Sequence, residues 1–128
     1  MNIVLINQTD STYPSSFKKY FTDNAQKTIA AIGNPNILQN KTLAIFSSIK
    51  CPGKIILKTY DMMRQLRDSD MTVISGFHSP MERECLNILL RQKQPVIICP
   101  ARSIEEMRIK KEYKTALKRR KVAHFVPL

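Results

Sequence analysis

From Thr42 onward the chain alternates short apolar runs with longer stretches in which apolar residues recur every three or four positions. Thr42–Phe46 (TLAIF), Thr72–Ser75 (TVIS), Pro95–Cys99 (PVIIC) and Val122–Val126 (VAHFV) are compact and rich in β-branched residues, which predicts strands. The middle two read as buried on both faces, as strands of a parallel sheet are. Between them the helical period returns. A first helix is predicted over about Lys54–Asp68, with Ile55, Ile56, Tyr60, Met63 and Leu66 near one stripe. A second, about Pro80–Gln92, opens with Ser79 as N-cap, Pro80 at the first helical position and Glu82 at the capping-box position. Ser103–Glu106 (SIEE) repeats the device ahead of a third helix. Strands and helices in this alternation predict βαβ units and a mostly parallel sheet.

The left third is less regular. Asn2–Asn7 and Lys27–Asn34 read as two further strands around a helix near Ser15–Phe21, with Gly33-Asn34-Pro35 as a turn. No linker, repeat or low-complexity segment divides the chain. The expectation is one α/β domain over residues 1–128, with residues 1–40 as an N-terminal extension, residues 41–128 as a βα core, and a sheet of about six strands. A chain of 128 residues fits one such core.

Parallel strands share a direction, so the loops after Phe46, Ser75 and Cys99 should converge at the carboxyl edge of the sheet, where open α/β folds keep their ligands. Helix N-termini there present unpaired N–H groups and a partial positive charge, and the small residues Ser47, Ser48, Ser75 and Gly76 would let a phosphate approach the backbone. His78, Ser79, Arg83 and Arg102 are nearby donors. Equally, Ser75-Gly76 can serve only to turn the chain and Ser79 only to cap a helix. Neither GxGxxG nor GxxxxGK[ST] occurs, so no dinucleotide fingerprint or P-loop supports a nucleotide site. Ser79, His78 and Glu82 stand too close on one turn for a nucleophilic relay.

Charge changes the picture most. Twenty-one Lys and Arg against ten Asp and Glu give +11, a balance that favours a polyanionic partner. Arg108–Lys121 (RIKKEYKTALKRRK) alone holds eight basic residues and one acid. Ile109, Tyr113, Ala116 and Leu117 form an inward helical stripe there, leaving Lys110, Lys111 and Lys114 on a nearly single-signed outward face suited to phosphate contact. The stripe lacks the bulky Trp or Phe of an interfacial helix, so no membrane role is expected. The three cysteines, Cys51, Cys85 and Cys99, are odd in number and flanked by apolar or Pro residues, which suits free thiols in a reducing cytosol. The only histidines are His78 and His124 and no Cys pair has finger-like spacing, so no metal is expected, nor any cofactor. The start MNIVLIN has no basic n-region and no apolar run approaches the ~18 residues of a membrane span, so the expected compartment is the cytoplasm.

The order of short motifs then becomes informative. Tyr13-Pro14, Gly33-Asn34 followed by Ile37-Leu38, Leu43–Ser48 (LAIFSS), Val73–Leu86 (VISGFHSPMERECL) and Val96–Ala101 (VIICPA) resemble the DprA/Smf family of bacterial DNA-processing proteins over nearly the whole chain. That family runs Tyr-Pro, Gly-Asn with a Leu pair, a strand ending in Gly-Ser-Arg, Val-Ser-Gly-x-Ala-x-Gly-Ile-Asp, and a strand ending in Gly-Ser-Gly. The resemblance implies a Rossmann-like three-layer sandwich of the SLOG type, single-stranded DNA binding, and help in loading a RecA-type recombinase during natural transformation. On the matching positions, Ser48 is the Ser of Gly-Ser-Arg, Ser75-Gly76 the Ser-Gly, and Glu82 stands at the family Asp. Lys93 lies where the family often has a basic DNA-contacting residue. Ser47 replaces the Gly and Ile49 the Arg of Gly-Ser-Arg, with Lys50 adjacent as substitute, and Cys99-Pro100-Ala101 replace Gly-Ser-Gly. A minimal or divergent member is expected, without the flanking helical and winged-helix-like domains.

Two other functions stay open at this point. One is a SLOG-type sensor binding a nucleotide at Ser47, Ser75 and Arg102. The other is a nucleoside-monophosphate phosphoribohydrolase, for which Cys99–Glu106 (CPARSIEE) lacks the Gly-rich loop that such enzymes use. A non-catalytic DNA-binding module is the leading expectation, with Lys50, His78, Arg83, Lys93 and Arg102 as contacts. A homodimer is compatible with an exposed sheet edge.

Overall fold

A computed structural model of the chain describes residues 3–15, 28–91 and 95–100, and the backbone of residues 122–127. Among the described residues six strands join in one sheet: β1 (Ile3–Asn7), β2 (Thr28–Gly33), β3 (Thr42–Ala44), β4 (Thr72–Ser75), β5 (Val96–Ile98) and β6 (Val122–Pro127). Their spatial order is β1-β2-β6-β5-β4-β3. β3, β4, β5 and β6 are mutually parallel, with Leu43 opposite Val73, Val73 opposite Val96, and Val96 opposite Val122. β2 closes antiparallel on β6, and β1 antiparallel on β2. The predicted segments thus become strands of one sheet, mostly parallel, in an α/β arrangement.

Each step from β3 to β4 to β5 moves one place in the same direction. Right-handed crossovers that step one way bring their helices to one face. Accordingly α1 (Gly53–Arg67) and α2 (Pro80–Leu89) pack against each other on one side of the sheet. Period-two alternation sorts the strands between two cores. Ala30, Ile32, Val73, Val96 and Ile98 meet Met63 of α1 and Met81, Cys85, Leu86 and Leu89 of α2. On the opposite face Ile29, Ala31 and Ile97 pack with Ile6, Tyr13 and Ile37. Ile37 comes from a 3-10 turn, Pro35–Gln39, capped by Asn34, whose side chain accepts the N–H of Asn36 at 3.1 Å. Gly33 enters that turn at φ 104°, a region a side chain rarely adopts, which explains the predicted Gly-Asn-Pro punctuation.

Two elements depart from expectation in instructive ways. β3 was expected through Phe46 but pairs regularly only through Ala44, followed by one more bond from the Ile45 N–H to the Ile74 carbonyl at 3.1 Å. It is an edge strand, and all three of its residues are exposed. In α1 the buried stripe is Ile56, Tyr60, Met63 and Leu66, whereas Ile55 is half exposed. Ile55 shares the neighbouring row with Thr59 and Met62, and since α1 packs on α2, that row faces open space beside β3. The helices expected near Ser15–Phe21 and after Ser103 lie outside the described residues. Among the described residues no helix is long and apolar enough to cross a membrane.

Candidate functional site at the carboxyl edge

The loops after β3 and β4 meet at the carboxyl edge, and the residue that joins them is Glu82. Ser79 has extended backbone, its hydroxyl accepts the Glu82 N–H at 3.3 Å, and Pro80 starts the helix, as the sequence predicts. The Glu82 side chain then turns back under the loops. Its Oε2 accepts the Ser47 N–H at 3.0 Å and the Ser79 hydroxyl at 2.9 Å, while its Oε1 accepts the His78 N–H at 3.1 Å and the Ser75 hydroxyl at 3.3 Å. Only 8% of the residue is exposed. Burial pushes the carboxyl up, but the hydrogen bonds from Ser47, Ser79, His78 and Ser75 together outweigh it and leave its pKa below the ordinary 4.5. At neutral pH the site therefore holds a buried carboxylate bonded to both loops.

This geometry separates the predicted residues into two groups. Ser75 and Ser79 are buried and give their protons to Glu82, and Ser75 also accepts the Phe77 N–H at 3.1 Å. Ser47 and Ser48 are tied to their own loop, the Ser47 hydroxyl donating to the Ser48 carbonyl at 3.2 Å and the Ser48 hydroxyl to the Lys50 carbonyl at 2.7 Å. Gly76 lies under His78. A Cβ there would stand 2.6 Å from His78 Cδ2 and 3.3 Å from the Cys99 carbonyl oxygen, so glycine is what lets the imidazole and the end of β5 close over the turn. Phe77 follows at φ 53°, a strained position for a side-chain-bearing residue, with its ring buried in the core. These residues are tied into the framework of the two loops.

The second group faces water. Lys50, His78 and Arg83 are exposed around the same edge. Among the described residues neither Lys50 nor Arg83 forms an ion pair; the pairs are Arg64 with Asp61 and Arg67 with Asp68, both elsewhere. α1 begins at Pro52 without a side-chain cap and with no acid in its first turn, where Lys54 sits instead. Arg83 occupies the first turn of α2. Cations beside a helix N-terminus oppose its dipole, so the needs of the helices do not account for Lys54 and Arg83, which have no ion-pair partner among the described residues although the Glu82 carboxylate is buried at the same edge. Lys93, Arg102, Lys110, Lys111 and Lys114 lie outside the described residues.

All three cysteines are free, and burial pushes the thiols of Cys85 and Cys99 up to about 11, so both stay protonated at neutral pH; for Cys85 the charges of Glu82 and Glu84 add to the effect. Among the described residues no group of three or more His, Cys, Asp or Glu is placed to hold a metal ion.

Beside the edge lies a cleft of about 360 Å³ between β3 and the two helices, walled by Leu43, Ile45, Ile55, Met62, Met63, Met81 and Cys85, with Phe46 among its lining residues and Glu82 and Ser47 reaching it as well. Sequence patterning does not reveal it, because Phe46 ends an apolar run and so reads as core. The available signal is the loop itself: Phe46-Ser47-Ser48-Ile49-Lys50 interleaves apolar and polar residues after the strand has ended.

Comparison with known proteins agrees with this architecture. No curated relative matches the chain. Its fold is similar to that of DNA processing protein A (DprA) from Streptococcus pneumoniae, with a TM-score of 0.76 at 13% identity, covering 100% of this chain and 44% of that one. It is also similar to DNA processing protein A from Helicobacter pylori, whose structure was described for a unique single-stranded DNA binding mode, with a TM-score of 0.70 at 11% identity, covering 100% of this chain and 56% of that one. The chain thus spans about half the length of these relatives. Residues 4–123 match the family model described as DNA recombination-mediator protein A, so that motif order, sheet topology and family model coincide over nearly the whole sequence. The chain belongs to the DNA recombination-mediator protein A family.

Proposed function

We propose that this protein binds single-stranded DNA, without catalysis, along the carboxyl edge of its sheet. The observation that carries the proposal is the pair of cations at helix starts, Lys54 and Arg83, neither ion-paired among the described residues, together with Lys50 on the loop that Glu82 holds in place. Phosphates are the partner that such an edge suits, and contacts of this kind position a strand without reading its sequence. The binding mode for which the H. pylori relative is described points the same way. Lys50, His78 and Arg83 are the proposed contacts among the described residues, joined by Lys93, Arg102, Lys110, Lys111 and Lys114 from the basic remainder of the chain.

A free nucleotide suits the edge less well. The Ser47 and His78 N–H groups that would cradle its phosphate already donate to Glu82. Delivery of the strand to a RecA-type recombinase and pairing of two copies belong to the same proposal, the first tested by filament assembly on protein-coated strands, the second by sedimentation.

The deciding experiment is anisotropy of a labelled single-stranded oligonucleotide over a salt series, with duplex DNA and mononucleotides as competitors. Tight, salt-sensitive binding that duplex competes poorly is expected. Lys50→Ala and Arg83→Ala should each lower the salt slope by about 0.7, the single-strand value for one phosphate contact. Binding displaced by a mononucleotide alone would replace the proposal with a small-ligand site.

A further inference from the structure

Phe46 is 88% exposed and Ile49 80% exposed, on a loop that is otherwise closely tied down. The Ser47 N–H is fixed to the buried Glu82 carboxylate at 3.0 Å, and both serine hydroxyls are satisfied within the loop. The usual arrangement is thereby inverted: the polar side chains bond their own backbone while the large apolar ones stand in water. Leaving a Phe ring in water forgoes the free energy of burying it, which a loop free to rearrange would recover. Here the side chain is left in water, and Phe46 is among the residues that line the cleft of about 360 Å³ beside β3.

We propose that Phe46 is a stacking platform for an unpaired nucleobase, with the base entering the cleft between Leu43, Ile55 and Met62. The inference deepens the single-stranded DNA proposal and rests on it. Its occupant follows from charge complementarity. Lys50 lies four residues past Phe46, Lys54 stands in the first turn of the helix that forms the cleft wall, and neither has a carboxylate partner among the described residues. An exposed apolar ring followed along the chain by two lysines that have no ion-pair partner among the described residues matches a strand that offers bases and phosphates in turn, and stacking tolerates any base because each has a π-face. A duplex keeps its bases stacked internally, so the platform would also favour single strands over duplex.

The test compares the wild-type protein with Phe46→Ala and Phe46→Trp on two probes of equal length, an oligo-dT strand and an abasic strand. Stacking is worth roughly 1–3 kcal/mol per base, so Phe46→Ala should weaken oligo-dT binding about five- to 150-fold. It should leave the salt slope and abasic binding unchanged, and Phe46→Trp should restore affinity. The ring is exposed, so unchanged thermal unfolding is expected for both variants. Equal binding of oligo-dT by wild type and Phe46→Ala overturns the platform while leaving the single-stranded DNA proposal standing. Absence of oligonucleotide binding by the wild-type protein overturns both. A Phe46→Ala variant that binds oligo-dT normally but shifts from dimer to monomer in sedimentation would assign the patch to a second copy instead.

Discussion

Glu82 keeps a charge in a place where burial opposes one, and its effect on stability can be signed. The folded carboxyl has a pKa below 4.5, so the folded state binds the proton more weakly than the unfolded chain does. The stability it contributes is fully present above about pH 4.5 and is lost as pH falls through the lower, folded value. Urea midpoints measured from about pH 5 down to about pH 3 should fall, and Glu82→Gln should flatten that acid limb while lowering stability at neutral pH. Glu82→Ala strands the Ser47 and His78 N–H groups and two buried hydroxyls, and should cost about 2–4 kcal/mol. At Phe77 two effects compete. Phe77→Gly would relieve about 1–2 kcal/mol of backbone strain at φ 53° but remove a buried ring worth about 3–5 kcal/mol, so net destabilisation is expected in denaturant melts. Cys85 and Cys99, both near 11, should resist alkylation at neutral pH until urea exposes them.

At the scale of elements, α1 separates what a stripe predicts from what a neighbour decides. Ile55, Ile56, Tyr60, Met63 and Leu66 all fit a helical period, yet Met63 is fully buried and Ile55 is 50% exposed. Met63→Ala should cost about 2–5 kcal/mol, and Ile55→Lys should change stability by less than about 0.5 kcal/mol, both read from denaturant midpoints. The contrast follows from α1 leaning on α2, which leaves its second row of apolar residues facing the cleft. α2 was more legible. Ser79, Pro80 and Glu82 announce its start by local chemistry alone, since a cap, a fixed φ and a returning carboxylate act within one turn. The two distant partners of that carboxylate, Ser47 and Ser75, were not legible, because 35 and 7 residues separate them from it.

At the scale of the molecule, charge and sheet topology act together. The +11 balance gives a field that attracts polyanions from any direction, and the parallel run β3 to β6 brings the helix starts to one edge, where Lys50, Lys54 and Arg83 have no ion-pair partner among the described residues. Mutating Lys110, Lys111 and Lys114 together to Ala should lower the salt slope of single-strand binding by about 2; an unchanged slope would assign those residues to a solvated face. β1 and β3 are the two edges of the sheet, with Ile3, Val4 and Leu5 exposed on one and Leu43 on the other. Among the described residues no strand pairs beyond either edge, which is where self-association would be sought.

The amino-acid pattern by itself determined the strands, the two described helices, the cap of α2 and the excess of positive charge, because periodicity, turn chemistry and formal charge are properties of neighbouring residues. Tertiary structure decided the rest. Strand order placed β3 at an edge, packing of α1 on α2 opened the cleft, and Glu82 drew Ser47, Ser75, His78 and Ser79 into one buried cluster that leaves the basic residues outside. Phe46 shows the division most plainly. Its sequence context is that of a core strand, and it stands in water because the strand ends two residues earlier and the loop beyond is anchored across the fold. Such anchoring depends on contacts between segments far apart in the chain, and no local pattern of hydrophobic and polar positions encodes it.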